Sequence, residues 1–106
     1  MKTNKLTNYQ ILKILIRAKK TYKNREGIGV GMCAHIAQAF YDLYDKNVYY
    51  NDIILFIPEF HWEHLNNGKR LVTGYWWPIA DKKSRIKAFN KLIRLYIFKT
   101  IFNYEN

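Results

Sequence analysis

From position 11 onward apolar side chains return to one helical face: Ile11, Leu12, Ile14, Leu15 and Ala18 recur at intervals that suit a 3.6-residue period. Thr7 and Gln10 stand just ahead of this stretch at capping-box spacing, so the pattern predicts a first helix over residues 8–21. Asn24, Gly27, Gly29 and Gly31 then break the period, and residues 23–31 read as a loop. Met32, Ile36, Ala39, Phe40 and Leu43 restore it, predicting a second helix that reaches about Tyr44.

The β-branched run around Ile53 and Ile54 admits two readings. It is either a short helix capped by Asn51 or Asp52 that stops at Pro58, or a buried strand, and periodicity does not decide between them. Asn66, Asn67 and Gly68 mark a turn, after which residues 71–77 read as extended or irregular up to Pro78. A closing helix follows, with Asp81 as its cap. Its stripe of Ile86, Phe89, Leu92, Ile93, Tyr96 and Ile97 lies opposite Lys83, Lys87, Lys91 and Arg94.

Together these elements predict a mostly α fold, a compact bundle of three to four helices with a short extended or irregular segment around residues 69–78. Divided in two, 106 residues would leave pieces too small to bury a core, so residues 1–106 read as a single domain. With 49% apolar and 17% aromatic residues, the composition is that of a folding chain. No internal repeat or low-complexity tract divides it.

Charge changes the picture from fold to partner. Eighteen Lys and Arg against eight Asp and Glu give a formal charge of +10, a field that concentrates nucleic acids, nucleotides, acidic proteins and anionic lipids. The alternative reading of that excess is an ordinary solubilising surface. A single cysteine excludes an internal disulfide, no apolar run is long enough to span a bilayer, and Lys13 and Arg17 interrupt the N-terminal apolar stretch. A cytoplasmic protein without membrane attachment is the expectation.

Two stretches carry candidate binding chemistry. In the first, Lys19, Lys20, Lys23 and Arg25 lead into Gly27, Gly29 and Gly31 and then a helix start, where backbone amides, helix dipole and cations can converge on a phosphate. It lacks the Lys-Ser/Thr ending of a Walker loop, and no clear strand precedes it. The second is Tyr75, Trp76, Trp77 and Pro78, flanked by Arg70 and Arg85, where an indole can stack on a base while arginine meets phosphate. Successive residues of an extended segment face opposite sides, so Trp76 and Trp77 are not both expected in one core.

Other constellations are weaker. Cys33 near a helix start would gain thiolate character from the dipole and basic loop, and with His61 or His64 as base it would suit a cysteine-dependent hydrolase; a small buried thiol is the simpler account. Cys33, His35, His61 and His64 count to four metal ligands, but residues two apart on a helix diverge, so neither a metal nor any cofactor is expected. The closing helix could lie on an anionic membrane or in a partner's groove, although its aromatic face reads as core. No helix-turn-helix spacing favours sequence-specific DNA readout.

Gly31-Met32-Cys33 opening a helix, the Ile57-Pro58 stop, Gly74-Tyr75-Trp76-Trp77-Pro78, and Arg85 with Phe89 and Leu92 resemble a group of small accessory proteins of tailed bacteriophages, over about residues 27–95. The resemblance implies a helix over residues 51–57 and leaves the basic N-terminal helix without a counterpart. It also implies action inside a host bacterial cell against defence signalling. The expectation is therefore a non-enzymatic protein that sequesters a phosphate-bearing nucleotide through Lys23, Arg25, Gly27, Gly29, Gly31, Arg70, Trp76, Trp77 and Arg85. An inhibitor of a host defence nuclease or nucleic-acid-binding protein is the alternative, and nucleic acid and a second copy of the chain also stay open as partners.

Overall fold

The computed structural model describes residues 6–24, 32–61, 69–70, 76–77 and 82–102. Helix α1 (Asn8–Asn24) is followed by α2 (Met32–Tyr44), α3 (Tyr50–Phe56) and a short α4 described over residues 58–61. Strands β1 (Lys69–Arg70) and β2 (Trp76–Trp77) then precede the long α5 (Lys82–Ile101). The fold is mostly α, as the periodicity predicts.

The start of α1 is set by the expected box. Gln10 donates its backbone N–H to Thr7 Oγ1 at 3.1 Å, and Thr7 donates its own to Gln10 Oε1 at 2.9 Å. The end differs from expectation: Lys23 and Asn24, assigned to the loop, complete the last helical turn. Tyr22 explains the extension, because it continues the Ile11, Leu15, Ala18 stripe and is itself buried.

Helix α2 begins and ends where its stripe does. Asp45 stops it with φ 55°, donating its N–H to Tyr41 O at 2.9 Å, a left-handed cap that aspartate tolerates better than most side chains. The ambiguous third run is a helix. Its cap lies earlier than Asn51 or Asp52: Tyr49 is the N-cap, and the Asp52 carboxylate, one turn in, accepts the Tyr49 N–H at 2.9 Å. Pro58 then opens α4, where the missing N–H costs nothing.

Two contacts fix the direction of α2 against α1. Arg17 pairs with Asp42 at 3.3 Å and Thr21 meets His35 at 3.1 Å, so the helices run antiparallel. Helix α5 is antiparallel to α1 as well, since Tyr22 near the end of α1 packs on Phe89 and Arg85 near the start of α5. Helix α1 thus lies between α2 and α5, and Ile14, Leu15, Ile36, Phe40, Phe89 and Leu92 close the core around it. Burying each such side chain contributes about 1.5–3 kcal/mol.

Helices α3 and α4 cover one flank. Phe56 packs on Phe40 with ring centroids 5.3 Å apart, and Glu59 of α4 accepts hydrogen bonds from Tyr96 Oη at 2.6 Å and Lys99 Nζ at 2.5 Å. In the segment expected to be extended, β1 and β2 pair antiparallel, Lys69 opposite Trp77 and Arg70 opposite Trp76. The turn at residues 66–68, residues 71–75 and the Asp81 cap lie outside the described residues.

The stripe of α5 needs one correction. Phe89, Leu92 and Tyr96 are buried and Ile86 and Ile93 pack against the core, but Ile97 is exposed, as are Phe98, Ile101 and Phe102. Phe98, Ile101 and Phe102 fall on the side of the helix that carries Lys83, Lys87 and Lys91, away from the face of Phe89, Leu92 and Tyr96.

Candidate functional site at the open end of the bundle

The antiparallel packing brings three helix ends together: the last turn of α1 and the first turns of α2 and α5. Tyr22 is the hub. Its hydroxyl accepts from Arg85 Nη1 at 3.4 Å, its ring meets His35 edge-on at 5.2 Å, and the same ring tilts against Phe89 at 5.8 Å. Arg85 is half-buried, so its guanidinium has a set position while part of it stays in water.

His35 is buried beside this tyrosine. Thr21 Oγ1 donates to Ala18 O at 3.1 Å and lies 3.1 Å from His35 Nδ1. Thr21 Oγ1 thus bridges the α1 backbone and the His35 ring. Adjoining this pair, Arg17, Lys20, Thr21 and Asn24 line an open groove on the surface of α1.

The electrostatics of this end can be added up. The first turns of α2 and α5 each contribute partial positive charge and backbone N–H groups that lack partners within the helix; the end of α1 contributes one partial negative charge. Lys23 stands in that last turn and offsets it. Arg17 is engaged with Asp42; Lys20 and Lys23 near the end of α1, and Lys83 and Arg85 in the first turn of α5, are described cations on these helix ends. The balance is positive and suits an anion.

The expected binding residues divide into three groups. Lys23 is exposed on the last turn of α1, and Arg85 sits one turn into α5 against Tyr22. Arg25, Gly27, Gly29 and Gly31 lie outside the described residues, although α1 delivers the chain to them and α2 receives it. Arg70, Trp76 and Trp77 are described through their ladder, in which Arg70 and Trp76 are register partners. Sequence reasoning missed Thr21, Tyr22 and His35, which organise the site. The buried spacing from Ala18 to Tyr22 was the available signal.

The thiol follows the buried-thiol reading and not the thiolate alternative. Burial pushes Cys33 above its ordinary value, so the thiol is kept protonated. Burial also raises Tyr50, with Cys33 nearby adding to the effect, and Tyr50 Oη lies 3.4 Å from His61 Nδ1. Cys33 and His61 therefore flank one tyrosine. His64 lies outside the described residues. Among the described residues, no three His, Cys, Asp or Glu side chains gather closely enough to hold a metal ion, and no helix is long and apolar enough to cross a membrane.

Compared with known proteins, the chain matches no family model, no curated protein and no solved structure.

Proposed function

We propose that this chain is a non-enzymatic binding protein for a phosphate-bearing nucleotide, held at the end of the bundle where α1 stops and α2 and α5 begin. The observation that carries the reading is the Arg85–Tyr22 hydrogen bond, which stations a half-buried guanidinium beside two helix N-termini. A positioned guanidinium matches the planar, bidentate geometry of phosphate oxygens. Lys20 and Lys23 add mobile charge from α1, and the adjoining groove gives the rest of the ligand a place to lie.

Among the described residues at this end, none is an activated nucleophile. Cys33 is held protonated and His35 is buried against Thr21 and Tyr22, so retention of the ligand is favoured over turnover. Retention without turnover is sequestration. Taken with the resemblance to phage accessory proteins, the proposed role is removal of a nucleotide signal used in bacterial defence.

Native mass spectrometry with a panel of nucleoside diphosphates, ADP-ribose and cyclic di- and trinucleotides tests this reading. It predicts a stoichiometric adduct of unchanged ligand mass, with Lys20→Ala and Arg85→Ala each weakening retention by about tenfold or more. A ligand released at a new mass, or no adduct across the panel, overturns it.

A further inference from the structure

The solvent face of α5 changes character along its length. Lys83, Lys87, Lys91 and Arg94 follow one another at intervals of four, four and three residues, which places them on one exposed stripe. The same spacing continues to Phe98, then Ile101 and Phe102, so the stripe passes from cationic to apolar without leaving its side of the helix. These three side chains are 44%, 70% and 58% exposed, and the two phenylalanine rings pack together with centroids 4.5 Å apart. The core face of the helix, with Phe89, Leu92 and Tyr96, lies on the opposite side.

An ordinary amphipathic helix separates charge from apolar surface around its circumference; this one separates them along its axis on a single side. The ridge is convex, so it needs no concave partner. Its complement must be anionic where the first turns rest and apolar where the last turns end. A bilayer rich in acidic phospholipid has those two layers stacked, phosphates outside and acyl chains beneath. A helix tilted on that surface meets both, with four cations on the headgroups and the Phe98–Phe102 pair below them. A second copy fits poorly, because it would bring a +10 chain and an identical cationic stripe against the first.

We infer that α5 docks this protein on an anionic lipid surface, Phe98, Ile101 and Phe102 entering the interface and Lys83, Lys87, Lys91 and Arg94 holding the headgroup phosphates. The attachment is peripheral and reversible; its apolar end lies away from the nucleotide site, while Lys83 shares the first turn of α5 with Arg85. It departs from the sequence expectation of no membrane, which placed the aromatic face of this helix in the core.

Co-sedimentation of the full chain with vesicles of phosphatidylcholine, with and without about 30% phosphatidylglycerol, tests the inference. The expected result is partitioning at least about tenfold stronger onto the anionic vesicles, weakening as salt rises. Phe98→Ser with Phe102→Ser should lower it by about tenfold, and Lys87→Glu with Lys91→Glu should remove the preference for anionic lipid. Both pairs change exposed positions, so unchanged helical circular dichroism verifies the fold. Absence of vesicle binding, equal binding to both lipids, or binding indifferent to the phenylalanine pair overturns the proposal. A dimer in light scattering that the phenylalanine variant converts to monomer, without vesicle binding, assigns the face to a second copy and overturns it as well.

Discussion

Arg85 Nη1 and Tyr22 Oη meet at 3.4 Å, joining the first turn of α5 to the last turn of α1 across 63 positions of sequence. The bond has a structural and a functional side. It helps set the antiparallel alignment of the two longest helices, and it holds a guanidinium at the end of the bundle where α2 also begins.

Tyr22→Phe separates these two sides. The ring still packs on His35 and Phe89, while Arg85 loses its hydrogen bond to the hydroxyl. Urea unfolding should register a loss of about 0.5–1.5 kcal/mol, the net worth of one hydrogen bond. Nucleotide retention should fall alongside it, because a mobile guanidinium must be ordered again on binding.

Phe89 is fully buried between α5 and α1, and Phe89→Ala leaves a ring-sized void that neighbouring side chains fill only in part. The expected cost is about 3–5 kcal/mol, measured as a lower midpoint in chemical denaturation. The exposed Phe98→Ala should change stability by less than about 0.5 kcal/mol.

Acid should weaken the flank that α4 closes. Burial pushes the Glu59 carboxyl up, but hydrogen bonds from Lys99 and Tyr96 and the lysine charge outweigh it and leave the group below its ordinary value. A carboxylate depressed in the folded state contributes stability that is fully present above its unfolded pKa, about 4.3, and is lost as pH falls through the folded value. Thermal melts should therefore drop between pH 5 and the acid limit by less in Glu59→Gln than in the parent chain.

Cys33 should alkylate slowly. Its thiol is raised by burial, so iodoacetamide at neutral pH should label the folded protein well below the rate of a free cysteine, and unfolding in urea should restore that rate. Rapid labelling of the folded chain would revive the hydrolase alternative.

What the sequence disclosed depended on how local the signal was. Thr7 and Gln10 lie three residues apart and their box marks the start of α1 directly. The end of α1 was missed because Lys23, Asn24 and the glycines after them dilute a stripe that Tyr22 still obeys. The run at Ile53 stayed ambiguous because seven residues hold barely two turns; Asp52 reaching back to Tyr49 decides it.

Longer-range relations left no trace in the spacing. Arg85 could be picked out as a cation on a closing helix, yet its partner Tyr22 and the Thr21–His35 pair follow only from the antiparallel crossing of α1 with α2 and α5. Periodicity likewise gave α5 its core stripe, of which only Ile97 proves exposed. Phe98, Ile101 and Phe102 lie beyond that stripe and are exposed.

Backbone amide shifts on titration with the nucleotide that native mass spectrometry retains provide the most direct test of where the ligand sits. The account predicts perturbations concentrated at residues 17–24, 32–35 and 82–86, and their loss in Arg85→Ala. Shifts confined to residues 94–102, or spread evenly over the cationic surface, would contradict a site built on Tyr22 and Arg85.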